Sequence, residues 1–321
     1  MADEYLFYQE FMSAIRNKTP HKATLANTIT YLLDLDKDAV YRRLRGEVSF
    51  SFAEMAIIAR NMGISLDKIA GIKNVQTRPS TMNISRGTNP TEHDYEMYER
   101  HVNIIKSVKD EDDTRIMQAR CKFPNYLYLN YEYLTKFHMF VWNQSSGNGD
   151  GCPYHQITIP ERLRVLQKDV SKYAKHISST IYVFDNKIFQ TYVSDIKYFY
   201  KVGLIKDENV SMIKNDLIEF LNDLENMAIK GIYEETGNKV SIYIADIDFD
   251  TNYSCLKSKN IQLTLFWTFL LNVIMSFDDE VFNETSAWIR SLQRMSTLIS
   301  VSGEKVRAMF FDAQRKIIQT L

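Results

Sequence analysis

The chain of 321 residues has little cysteine: Cys121, Cys152 and Cys255 only. They lie far apart and form no CxxC pair, so their spacing supports neither a zinc motif nor a disulfide framework. A reducing, cytoplasmic setting is the expectation. An excess of positive charge is also missing. Lys and Arg number 39 against 40 Asp and Glu, a formal net charge of −1. This argues against a nonspecific nucleic-acid coat and fits a basic patch of limited size. The opening MADEYLFYQEF lacks a basic segment followed by an apolar run, so no signal peptide is expected.

Patterns of catalysis and ligation are missing as well. No GxxxxGK[ST] loop, GxSxG elbow or HExxH pair occurs. Asp246, Asp248 and Asp250 resemble the start of a calcium loop. Thr251 stands where that loop needs glycine, and Lys257 where it needs glutamate. They read as polar residues at a strand end. His93, Glu96 and Glu99, with His101 further round, read as part of a surface helix rather than a metal site. The expectation is a protein that is not an enzyme, with no metal and no cofactor.

Long apolar runs are scarce too. The exception is residues 261–277, IQLTLFWTFLLNVIMSF, seventeen residues without a charge. The run falls short of the roughly 20 residues of a membrane span and is flanked by Lys257, Lys259, Asp278 and Asp279. It reads as a buried central helix, with room for a strand before it, and no membrane partner is expected.

What is present begins with residues 36–46, DKDAVYRRLRG. Asp36 sits where an N-cap belongs, its carboxylate able to accept from the first-turn N–H groups. Val40 and Leu44, four apart, share a face, with Tyr41 beside it. Lys37, Asp38, Arg42 and Arg45 fall mainly on the other side. Gly46 suits a left-handed C′ position. One apolar and one basic face let a short helix sit on a core and enter the major groove. There arginine bonds guanine bidentately, or neutralises a phosphate. The same pattern also describes a solvated charged face.

The neighbours favour a helix-turn-helix. Leu25, Ile29, Leu32 and Leu33 form an amphipathic helix just upstream. Ser51 and Glu54 form a capping-box pattern downstream, ahead of Met55, Ile58, Ala59 and Met62. Gly63 ends that helix, and Ser65 starts another turn that reaches Ile69. Leu6, Phe7, Phe11, Met12 and Ile15 give one more helix at the front. Five short helices thus occupy about seventy residues.

The runs YRRLRGE (residues 41–47) and FAEMAIIARNMGISLD (residues 52–67), with their spacing, carry a resemblance. Residues from about 29 to 69 resemble the XRE, or lambda-repressor/Cro-like, helix-turn-helix family. That family often has glycine at its tight turn, where this chain has Leu33 and Asp34. The resemblance implies double-stranded DNA as a partner. It places Lys37, Asp38, Tyr41 and Arg42 near base edges and Arg43 and Arg45 near phosphates. The plainer readings are that Tyr41 is core, that Asp38 complements the helix dipole and that Arg43 pairs with Glu47. Dimeric binding to two half-sites is implied as well, hence a homodimer. The alternative is an interaction module whose N-terminal helices contact a protein.

Residues 72–91 are polar, hold Pro79, Gly87 and Pro90, and read as a linker. Three regions follow from this: a DNA-binding domain at 1–71, the linker at 72–91, and a larger domain at 92–321. In the last, helices are expected over 92–108, 130–142, 160–176, 188–202, 207–229, 286–299 and from 302 or 303 onward. Strands are expected over 114–119, 180–184 and 240–246; residues 126–129 would suit a strand, and 145–151 form a loop. The fold class is mainly α with α+β: a five-helix lambda-repressor-like domain, then a helix-rich α+β domain for sensing or dimerisation. Dense aromatics at 126–142 and 266–269 read mostly as core. They would also suit a pocket for a small-molecule effector, and a protein effector fits equally.

Overall fold

The computed structural model of the chain describes residues 2–19, 22–62, 64, 66–69, 80–83, 90–145, 151–259, 261–268 and 272–321. It divides into two compact units, Met1–Pro79 and Ser80–Leu321. Of the expected features, Gly63, Ser65, most of the 72–91 linker, the middle of the 145–151 loop and Phe269 lie outside the described residues.

The first unit holds helices α1 (Ala2–Lys18), α2 (Lys22–Leu33), α3 (Lys37–Leu44), α4 (Phe52–Met62) and α5 (Leu66–Ile69). Its core is one apolar cluster. Phe11 and Ile15 from α1 meet Leu25 and Ile29 from α2, Val40 from α3 and Ile58 from α4. Phe50, between α3 and α4, packs edge-to-face on Phe11 with ring centres 6.3 Å apart. Its N–H donates to the Tyr8 hydroxyl at 3.1 Å, which satisfies a backbone donor in this buried turn. Spacing of three and four residues puts these side chains on one stripe of each helix.

The second unit is built on an eight-stranded sheet. Its strands are β1 (Thr81–Asn83), β2 (Arg115–Arg120), β3 (Ser179–Phe184), β4 (Lys239–Ala245), β5 (Asn252–Lys257), β6 (Gln262–Thr268), β7 (Asn272–Ser276) and β8 (Ser296–Leu298). Their order is β1-β7-β6-β5-β2-β3-β4-β8. β2, β3 and β4 run parallel, and the remaining neighbours are antiparallel. The helices are α6 (Glu92–Val108), α7 (Asn125–Tyr128), α8 (Glu132–Ser145), α9 (Glu161–Ala174), α10 (Ile188–Lys201), α11 (Asp207–Lys230), α12 (Asp279–Arg294) and α13 (Glu304–Gln319). The chain is α+β overall.

Alternation along the strands sorts the side chains into two faces. Tyr182, Phe184, Val240 and Ile242 join the core formed with α8, α10, α11 and α13. Met117, Ala119, Val183 and Cys255 face α12 through Phe282, Ile289 and Leu292. Parallel strands need long crossovers, and helices α7 to α11 supply them between β2, β3 and β4.

Four expectations are corrected. The run 261–277 does not form the expected helix: its described parts include β6 and β7, which pair antiparallel, with Leu265 opposite Met275. A continuous apolar run carries neither a 3.6 nor a 2 period, and strands covered on both faces read this way. Residues 126–129 are not a strand, since α7 starts directly after Pro124. The helix expected at 286–299 begins earlier, where Asp278 accepts from the N–H groups of Glu280 and Val281 at 3.0 and 3.1 Å. It ends at Arg294, and β8 follows. Inside the expected linker, Thr81–Asn83 adds a strand to the sheet edge beside β7.

Candidate nucleic-acid interface

The candidate site is α3 with the turn before it. Three residues separate α2 from α3: Asp34, Leu35 and Asp36. A helix-turn-helix joins its helices by a turn of this length. Asp34 takes φ of 51°, the left-handed conformation that glycine adopts most readily. Aspartate is among the few other residues that enter this region readily. Leu35 turns back onto the core. Asp36 is extended and accepts from the Ala39 N–H at 2.7 Å.

The end of α3 is equally defined. Gly46, with φ of 79°, donates to the Arg43 carbonyl at 2.9 Å, and Glu47 donates to the Arg42 carbonyl at 2.9 Å. This is the Schellman pattern of bonds. Arg16 on α1 adds a bond from Nη2 to the Leu44 carbonyl at 3.0 Å, satisfying another terminal acceptor.

Between these ends the helix has two faces. Val40 is fully buried, and Tyr41 and Leu44 are half-buried on the same core. Lys37, Asp38, Arg42 and Arg45 are exposed. Lys37 makes no ion pair among the described residues. Arg45 Nε donates to Glu47 at 2.6 Å, and Arg42 lies 3.6 Å from the other Glu47 oxygen. The Arg45 hydrogen bond holds the Glu47 carboxyl below its usual range, so the pair is charged at neutral pH. Glu47 is thus an internal counter-ion for both exposed arginines.

Arg43 stands apart. Its guanidinium turns to Glu54 on α4, with Nη2 to Oε1 at 2.9 Å, and both side chains are largely covered. Glu54 also accepts from the Ser51 N–H at 2.7 Å, while its own N–H donates to Ser51 Oγ at 3.2 Å. The capping box expected from Ser51 and Glu54 is therefore present, with Arg43 locked onto it. Burial opposes the Glu54 charge, but the Ser51 N–H and Arg43 outweigh it and hold the carboxyl below its usual range.

Of the six sequence-derived site residues, four share the exposed face, Tyr41 is half-buried and Arg43 is turned to α4. From the sequence, Arg43 is expected near a phosphate, with Glu47 as its plainer partner; in the structure Arg43 pairs with Glu54 and not with Glu47. The partners are exchanged because Arg42 and Arg45 flank the helix end, whereas Arg43 faces α4. Glu47 enters the sequence reading only as a partner for Arg43, from its place in the YRRLRGE run, and nothing in the sequence points to Arg16.

The acidic run elsewhere is split. Asp246 accepts from Thr297 at 3.2 Å, and Asp248 pairs with Lys187 at 2.5 Å. His101 is half-buried, its ring edge-on to Trp267 with centres 6.1 Å apart, and Glu99 pairs with Arg162 at 2.9 Å. Among the described residues, no helix is long and apolar enough to cross a membrane. Comparisons with protein-family models, curated proteins and solved structures give no match to this chain.

Proposed function

We propose that the protein is a sequence-specific DNA-binding transcription regulator of the XRE, lambda-repressor-like type. Its first unit would bind duplex DNA and its second would dimerise, sense a signal or both. One observation carries the reading. A three-residue turn with left-handed Asp34 leads into a capped helix that buries Val40 and exposes Lys37, Asp38, Arg42 and Arg45 together. In this reading Lys37, Asp38, Tyr41 and Arg42 lie near base edges, Arg45 reaches a phosphate, and Arg43 positions α3 on α4 through Glu54. Phosphates displace Glu47 from Arg42 and Arg45, an exchange of exposed partners that costs little. The role is binding rather than catalysis, in a cytoplasmic setting.

Selection of sites from a random duplex library with the full chain tests this. The expected product is a sequence with two related half-sites about one helical turn apart, as a two-fold dimer requires.

A second reading rests on Tyr31 and Phe52, which are 87 % and 73 % exposed in the same unit. Large apolar side chains of that exposure suit a protein partner. No enrichment from the library would favour it.

A further inference from the structure

The second unit contains a cavity between α6 and the sheet. Strand register builds its floor. Ile116 pairs with Leu256, which pairs with Leu263; Gln118 pairs with Ser254, which pairs with Leu265. Arg120 and Trp267 line the end of these rows, and His101 and Ile104 on α6 close the opposite side. Counted with its open mouth, the cavity encloses about 540 Å³ of space not filled by atoms. The closed part is smaller, so its occupant is small.

Arg120 is the unusual member. It is only 5 % exposed. No carboxylate pairs with it among the described residues. Its Nε donates to the Lys122 carbonyl at 3.2 Å, and its guanidinium lies 5.2 Å from the centre of the Trp267 ring. Nη1 is buried without a partner, and so is Trp267 Nε1. Gln118, Ser254 and Tyr126 of the wall are paired with one another. Gln118 accepts from Ser254 at 3.2 Å and donates to the Tyr126 hydroxyl, which bonds Tyr182 at 2.8 Å. His101 is pushed down to about 4 by burial, so it is neutral at neutral pH. None of the lining residues is acidic. A buried, unpaired guanidinium is costly, because it loses hydration without a compensating charge.

We propose that this cavity binds a small monocarboxylate with an apolar body. The carboxylate meets Arg120, whose fork of donors matches two carboxylate oxygens. The hydrocarbon rests on Ile104, Ile116, Leu263 and Leu265. A single fixed positive charge among apolar walls selects against dianions and against strongly polar molecules. This assignment goes beyond the DNA-binding reading and does not depend on it.

Calorimetric titration of the full chain with butanoate, hexanoate and benzoate tests it, each beside its neutral amide at matched ionic strength. At least one carboxylate is expected to bind once per chain, at least tenfold tighter than its amide. Arg120→Met, which removes a buried unpaired charge and is expected to fold, should abolish that preference. Hexanoate should also change tryptophan emission in the wild type and not in Trp267→Phe. The proposal is overturned if no carboxylate binds better than its amide, or if Arg120→Met keeps the preference. It is equally overturned if the emission change survives in Trp267→Phe, a readout that holds whether or not Arg120→Met folds.

Discussion

Asp34 holds a left-handed backbone at φ of 51° with an exposed side chain, so its cost or benefit is almost purely conformational. Asp34→Val places a β-branched residue there and should destabilise the first unit by about 1–2 kcal/mol, while Asp34→Gly should be close to neutral. Thermal unfolding of the two variants checks the pair. Glu47 gives a prediction of the opposite kind. Glu47→Gln removes the internal counter-ion of Arg42 and Arg45 and should tighten DNA binding, measured at matched salt, with little change in stability. Glu54 couples this region to pH. Its carboxyl lies below the usual range in the folded unit, so the folded state binds that proton less readily than the unfolded chain. The stabilisation is complete above the unfolded value of about 4.3 and is lost as pH falls through the lower folded value. Hydrogen exchange of α3 amides in wild type and Glu54→Gln should therefore differ at neutral pH and converge in acid.

At the scale of elements, local chemistry decided what the sequence revealed. The caps of α3 and α4 were legible because Asp36, Ser51, Glu54 and Gly46 act within three or four residues of themselves. β3 and β4 were legible as short β-branched runs between polar breaks. The β6–β7 hairpin was not, because both its faces are covered and the run has no period. β5, NYSCLK, was missed because its polar residues, Asn252 and Ser254, serve cross-strand partners rather than solvent. The cavity was illegible for a different reason. His101, Arg120 and Trp267 are far apart in the chain, and only sheet register and the packing of α6 bring them together. The connection from β8 to α13 holds strain that no pattern announced. Val301 has φ of 60° and is 70 % exposed, while Gly303 has φ of 72°. A Cβ on Gly303 would lie 2.4 Å from the Leu298 carbonyl oxygen. Val301→Gly should stabilise the second unit by about 1 kcal/mol, and Gly303→Ala should destabilise it by about 3 kcal/mol. Denaturant unfolding of both variants reads the opposite signs.

On the scale of the whole molecule, charge is nearly balanced, and the first unit carries only a small surplus: eleven Lys and Arg against nine Asp and Glu. Under the proposed function, nonspecific attraction to DNA would be correspondingly weak, and affinity would have to come from a few placed side chains on α3. That gives the central claim a sharp test. On the duplex enriched by selection, the wild type is compared with the double variant Arg42→Ala, Arg45→Ala across a salt titration. The account predicts at least tenfold weaker binding by the double variant, a salt slope shallower by up to about 2, and unchanged unfolding of the first unit. Equal binding by wild type and double variant at matched salt would contradict the assignment of α3 as the recognition helix.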